Sequence, residues 1–541
     1  MVARDAGELS FSALPEVELE VPKEKEHGDL ATNLALVLAR PTRKAPRTVA
    51  DILLRHFSTP GTWVERSEVA GPGFINLFLD PGWLYQVPIL VEQQGPDYGR
   101  TDFGQGEKIM VEFVSANPTG PMVLVSARAA AVGDTLANLL AWSGYEVHRE
   151  FYINDAGKQV GRLAQSLEIR IRQELGEELP FPEEGYPGEY LVDLARTFLS
   201  EEETSLLAAP EGERRRRLAD YAIEKMVAGH RKSLAEYGVH FDLWFSERNL
   251  HKTGAVQEVI EIFQARGLTY EQDGALWFKS TVFGDDKDRV LIKGDGEYTY
   301  LVPDIAYHLN KYRRGFDRAI DLLGPDHHGY LGRLQSAIQA LGYRPDSLEI
   351  MIVQLVRLVR QGQAVRMSKR RGEFVTMEEL VEEVGKDAAR FFFLMRSADS
   401  PMDFDLDLAE LQGNENPVFY VQYAHARIAS ILRQAREVGV TVPQAGSVVL
   451  NLLVSEEERS LLRKLADFPE EVLAAALARE PHRMTRFLLD LSGLFHYFYT
   501  RHRVLGEKPE VMAARLVLVM ATGQVLRNGL RLIGVSAPER M

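Results

Sequence analysis

The sequence predicts an α/β protein: a doubly wound parallel sheet carrying a helical insertion, preceded by a small α/β module and followed by an all-α bundle. Three observations carry that expectation. From Lys108 to about residue 410, apolar runs of strand length alternate with helical periods. A charged, strongly helical stretch at 158–235 separates two groups of such strands. After "NENP" (414–417), apolar residues recur almost everywhere at spacings of three and four.

Taken in order, residues 1–92 form the small module. "VELEVPKEKEHGDLATNLALVLAR" reads as an alternating strand, a polar turn and a helix with Leu30, Leu34 and Leu38 on one face. "VAGPGFINLFLD" (69–80) enters another strand through a Gly-Pro-Gly turn. "QQGPDYGRTDFGQGEK" (93–108) is the linker candidate. A domain over 106–410 follows, opening with the buried strand "IMVEFV" and a helix through "AAAVGDTLANLLAWSG" that stops at Gly144. "YEVHREFYI" is the next strand. An insertion spans about 158–290, and "DGALWF", "RVLIK", "RAIDLLG" and "LEIMIV" resume the sheet. Residues 412–541 make the helical bundle.

At 541 residues the chain is long enough for about three domains. With 45% hydrophobic and 26% charged residues, it has an ordinary globular composition. The absence of cysteine excludes disulfides, thiolate metal sites and a Cys nucleophile. No signal region or long apolar run is evident, so the expectation is a cytoplasmic chain without a membrane. The formal charge is −15, yet residues 412–541 hold 16 Lys and Arg against 13 Asp and Glu. A mildly basic module on an acidic body suits local contact with a polyanion, or simply a solvated surface.

Five stretches carry possible chemistry. "GPDHHGY" (324–330) puts Asp326, His327 and His328 at the carboxyl end of a strand, where open α/β sheets bind ligands. Paired histidines suggest metal, but no third ligand is at workable spacing, so no protein metal site is expected. "VRMSKRRGEFV" (365–375) is a basic loop whose Lys369 suits a developing pyrophosphate. "YTYLVPDIAYH" (298–308) offers Tyr300, Asp304 and Tyr307 to a cation such as guanidinium, or Asp304 as a helix cap. "EFYINDAGKQ" (150–159) turns at Gly157. "SANPTGPMVLVSARAAA" (115–131) opens like a nucleotide-binding turn and then presents aliphatic side chains.

Together with "HGDLATN", "AGPGFIN", "YINDAG", "NPVFYVQYAHARI" and "LRNGLRLIGVSAPERM", these stretches resemble the arginyl-tRNA synthetases, a class I aminoacyl-tRNA synthetase family, over nearly the full length and in order. The resemblance implies a Rossmann-like catalytic domain. It also implies a reaction in which arginine's carboxylate attacks the α-phosphate of ATP, releasing pyrophosphate, before the arginyl group passes to tRNA. ATP is a substrate accompanied by Mg2+, and no tightly bound cofactor is implied. The partners implied are tRNA(Arg), L-arginine and ATP, with the chain a monomer. Glu112 and Asn117 would hold the amino-acid end, and Tyr300, Asp304 and Tyr307 the guanidinium. Gly120, Asp326, His327, His328 and Met367 would contact ATP. Arg366, Ser368 and Lys369 belong to the family's mobile Lys-Met-Ser-Lys loop, with arginine at its first position. Tyr420, Gln422, Tyr423 and Arg427 would touch tRNA. The N-terminal module, read as short of the helix that usually opens it, would grip the tRNA elbow and the bundle the anticodon arm.

One departure stands out. Where the family has Leu and then His-Val-Gly-His, this chain has Met122, Val123, Leu124, Val125 and Ser126. The family's histidines donate to phosphates and its glycine leaves room for adenine. Losing one such donor costs about 2.7–4 kcal/mol. Slow adenylation is therefore expected. The alternatives are a non-catalytic tRNA- or arginine-binding relative, and an active ligase compensated by Arg128, Arg366 and Lys369.

Overall fold

The computed structural model describes residues 1–202, 204–327, 329–365 and 376–541. The chain divides into two compact units. One comprises Met1–Gly95, Val440–Ala466 and His502–Ala521; the other comprises Pro96–Gly439, Asp467–Arg501 and Thr522–Met541.

In the first unit, strand Phe74–Leu79 lies between Leu30–Thr32 and Val64–Ala70, antiparallel to both. Helices Leu34–Thr42 and Pro46–Arg55 cover this sheet, burying Ala35, Leu38, Val49 and Ile52 with Ile75 and Leu77. The alternating "VELEV" run differs from its expectation. Val17, Leu19 and Val21 are all exposed, and its one ladder contact is a bridge from Glu20 to Ala31. Alternation without a face to bury does not hold a strand.

The second unit contains five parallel strands: β1 (Lys108–Glu112), β2 (Glu146–Ile153), β3 (Leu243–Ser246), β4 (Arg318–Leu323) and β5 (Leu348–Ile352). Their order is β3-β2-β1-β4-β5, and every pairing is parallel. The direction of winding reverses between β1 and β4, so a crevice for ligands opens beyond their carboxyl ends. Helix α1 (Leu124–Trp142) lies close on β1 because Gly133 has no side chain; a Cβ there would sit 2.3 Å from the Phe113 ring. As expected, the helix ends before Gly144, whose φ of +88° turns the chain into β2.

Two expectations need correction. "ALWF" (275–278) and "RVLI" (289–292) are strands, but they join Thr269–Gln272 in a separate antiparallel sheet. A tight hairpin turn at 273–274 joins the first two of these strands, whereas the fifth parallel strand is the Trp-Phe run at 243–246. The insertion has its own core: helices Lys158–Glu174, Tyr190–Glu201 and α2 (Glu211–Glu236) bury Leu163, Leu167, Leu191, Phe198 and Leu218. Helix Pro509–Leu532 is long and apolar enough to cross a membrane by length and composition, and 56% of its most apolar window is buried inside the protein.

Candidate active site

The chain leaves β1 under strain. Val114 and Ser115 have φ of 69° and 41°, and a β-branched residue there costs roughly 1–3 kcal/mol. This twist brings the Ser115 hydroxyl to Glu112, donating to Oε1 at 3.0 Å while accepting the Tyr152 N–H at 3.1 Å. The other Glu112 oxygen accepts from Lys311 Nζ at 2.6 Å, and the same ammonium reaches Asp321 at 2.7 Å. Lys311 comes from helix α3 (Leu301–Arg313) and is fully buried. Burial is the largest influence on Glu112 and pushes its carboxyl up, against the pull of Lys311. Burial also opposes the charge of Asp321, but Lys311 and His308 hold that carboxyl at about 2. Beyond this network the exposed Asn117 accepts from the Asn154 side-chain amide at 2.8 Å.

Three carboxylates gather where α3 begins. Burial, with Asp304 and Asp155 nearby, pushes Glu247 up to about 7. Asp155 is already engaged by the Ser246 hydroxyl at 2.6 Å and the Arg248 N–H at 2.9 Å. Asp304 accepts from the Tyr330 hydroxyl. The phenols differ from their expected roles. Tyr300, at the N-terminal cap of α3, is 87% exposed. Tyr307 is buried, stacks near Tyr152 and Phe245, and gives its hydroxyl to Glu150 at 2.8 Å. Glu247 was invisible in sequence, where it reads as an acidic residue opening a short helix.

At the 122–126 corner, Met122 and Leu124 are buried while Val123 and Val125 are half-buried. Val123 caps α1 without a side-chain hydrogen bond and bridges Thr376, and the Met377 N–H donates to the Met122 carbonyl at 2.9 Å. Ser126 is 6% exposed. Gly120 is fixed from the insertion: His230 Nε2 donates to its carbonyl at 2.8 Å, and the Tyr190 hydroxyl donates to the Thr119 carbonyl. The compensating role expected of Arg128 fails. This side chain is fully buried and donates to the carbonyls of Gln354, Ser397 and Ser400 at 2.8 Å, and burial lowers its guanidinium to about 10. Asp326 is exposed just beyond β4. The His327 side chain, His328, Arg366, Met367, Ser368 and Lys369 lie outside the described residues.

A second surface is built on helix Pro417–Glu437. Tyr423, Arg427, Arg433, Gln434, Tyr499 and Arg540 line a groove of about 440 Å³. The Arg427 guanidinium stacks 4.7 Å from the Tyr423 ring centre and 5.0 Å from that of Tyr499. Tyr420 packs on His496. Gln422 does not join this surface: it is 9% exposed, and its amide donates to Asp387 at 2.9 Å and to the Ser536 carbonyl at 3.0 Å.

Comparison with known proteins places these features in context. The family described as "tRNA synthetases class I (R), catalytic domain" matches residues 88–396. "Arginyl tRNA synthetase N terminal domain" matches 2–79 and "DALR anticodon binding domain" matches 421–541. The arginine–tRNA ligase of Symbiobacterium thermophilum is 55% identical over 97% of this chain and 94% of its own. That of Desulforamulus reducens is 51% identical over 100% of this chain and 96% of its own. Among solved structures, the Thermus thermophilus arginyl-tRNA synthetase shares the fold with a TM-score of 0.76 at 21% identity, covering 100% of this chain and 98% of its own.

Proposed function

Because the chain belongs to the arginyl-tRNA synthetase family, we propose that it is an arginine–tRNA ligase whose adenylation step is severely slowed by its aliphatic corner at 122–126. The observation that carries the substrate is the Glu247, Asp304 and Asp155 pocket. A carboxyl pushed up to about 7 by burial, and further by the neighbouring Asp304 and Asp155, is a group whose charge a bound guanidinium favours. Arginine lies with its guanidinium on Asp304 and Glu247 and its amino-acid end toward Glu112 and Asn117. Its carboxylate then attacks the α-phosphate of MgATP, pyrophosphate leaves, and the terminal ribose hydroxyl of tRNA(Arg) takes the arginyl group.

The slowed step follows from what the corner lacks. The side chains of Val123 and Val125 offer no donor, Ser126 is buried, and Arg128 is spent on three carbonyls. Two missing donors amount to about 5–8 kcal/mol, or roughly four to six decades in rate. Val125 also sets a branched side chain where a purine needs bare backbone. The reading takes in a cytoplasmic monomer, with residues 1–92 on the tRNA elbow, 106–410 catalytic and 412–541 on the anticodon arm.

Arginylation of tRNA(Arg) tests this reading on the chain as it stands and on the combined variant Met122→Leu, Val123→His, Leu124→Val, Val125→Gly and Ser126→His. Restored turnover supports it. Equal rates in the two chains count against impairment. Absence of turnover in both, with tRNA retained on a filter, favours a non-catalytic tRNA-binding relative.

A further inference from the structure

Lys311 is fully buried on α3 and touches two carboxylates from two different strands. Burying a lysine is costly, and a fold that needed only packing would place an apolar residue there. The position of the network gives it a further use. One end is Asp321, in the middle of β4; the other is Glu112, the last residue of β1, at the crevice. Glu112 Oε2 is fixed by Lys311 and Oε1 by Ser115, whose place depends on the two left-handed residues 114 and 115. Each carboxylate oxygen keeps a lone pair for another donor.

From this geometry we infer that Lys311 is a positioning residue for the amino-acid end of the substrate: its ammonium keeps Glu112 charged and aimed to receive the α-ammonium of arginine. The inference rests on the reading of Glu112 given above. The titratable groups facing Glu112 are Lys311, His308 and Tyr307 from α3, Asp321 from β4, and Tyr152 with Glu150, the register partner of Glu112, from β2. Glu150 is itself held by Arg314 at 2.6 and 2.8 Å. Two carboxylates therefore share Lys311. Asp321 carries its charge firmly, which leaves Glu112 as the group whose ionisation depends on the ammonium.

The test is calorimetric titration of the full chain with L-arginine and with desaminoarginine, which lacks the α-amine, across pH. Glu247 acts on both ligands through the guanidinium; Glu112 acts on arginine alone. Lys311→Gln keeps donors but no charge, and is expected to raise the pH at which arginine binding is half lost by about 1–3 pH units. The desaminoarginine profile stays as in the parent chain. Asp321→Asn, which breaks the same buried network but leaves Lys311 on Glu112, is expected not to raise that pH. No shift with Lys311→Gln, an equal shift for both ligands, or the same shift with Asp321→Asn overturns the inference and leaves the arginine pocket standing. Failure of the parent chain to bind arginine overturns both. If Lys311→Gln does not fold, the double variant Glu112→Gln with Lys311→Gln carries no buried charge at the pair. Its preference for arginine over desaminoarginine is expected not to change with pH, and a preference that still falls at low pH as in the parent chain overturns the inference.

Discussion

Glu247 carries the clearest pH signature in the pocket. Its carboxyl lies at about 7 because burial, Asp304 and Asp155 all disfavour its charge. In the proposed arginine site, the group is charged above that pH and attracts the guanidinium, and below it the attraction is lost. Affinity for desaminoarginine is therefore expected to rise from pH 6 to pH 8 by about tenfold, since one pH unit corresponds to 1.36 kcal/mol. Glu247→Gln is expected to flatten that rise and weaken binding, and calorimetry across this range checks both. For stability the sign is opposite. A carboxyl raised above its unfolded value makes the ligand-free protein lose stability as pH climbs from the ordinary carboxylate range through about 7. Side chains were unevenly legible in sequence. Asp304 follows from its motif, but Glu247 lies far from it in sequence and reaches it through the start of a six-residue helix. Tyr300 and Arg128 looked available for ligands because sequence spacing does not report which way a cap or a helix face points.

Helix α1 and strand β1 support the whole crevice. Their close approach depends on Gly133, so Gly133→Ala drives a methyl into the Phe113 ring. Overpacking of this kind costs about 1–3 kcal/mol, read as a lower midpoint in thermal or denaturant unfolding. A change of under about 0.3 kcal/mol counts against so tight a contact. The parallel strand at 108–112 is readable because burial of its interior leaves an apolar run, and those at 146–153, 318–323 and 348–352 because apolar residues cluster between turn and helix signals. The strand at 243–246 is not. Its "LWFS" is too short to show a period and adjoins a charged helix. Likewise, 275–278 and 289–292 have the composition of strands but say nothing of which sheet they join. Pairing partners are set by tertiary contact rather than by local pattern.

In the function proposed for the chain as a whole, tRNA meets the basic and aromatic side chains of the groove on helix Pro417–Glu437. Arg427→Ala is expected to weaken tRNA binding and to reduce its salt slope by about one phosphate contact. Gln422→Ala is expected to lower stability instead, because its amide is committed to Asp387 and Ser536. Filter binding at several salt concentrations separates the two. The helical character of 412–541 was plain from its periodicity, yet its helices are shared between the two compact units, a division no composition shift announced. In the proposed function, the first step of the reaction depends on five residues at one corner of the crevice. Single-turnover formation of arginyl-adenylate, with tRNA(Arg) present, compares the chain as it stands with the chain restored at 122–126. Restoration is expected to accelerate the step by about ten-thousandfold or more; equal rates in the two chains would contradict the account.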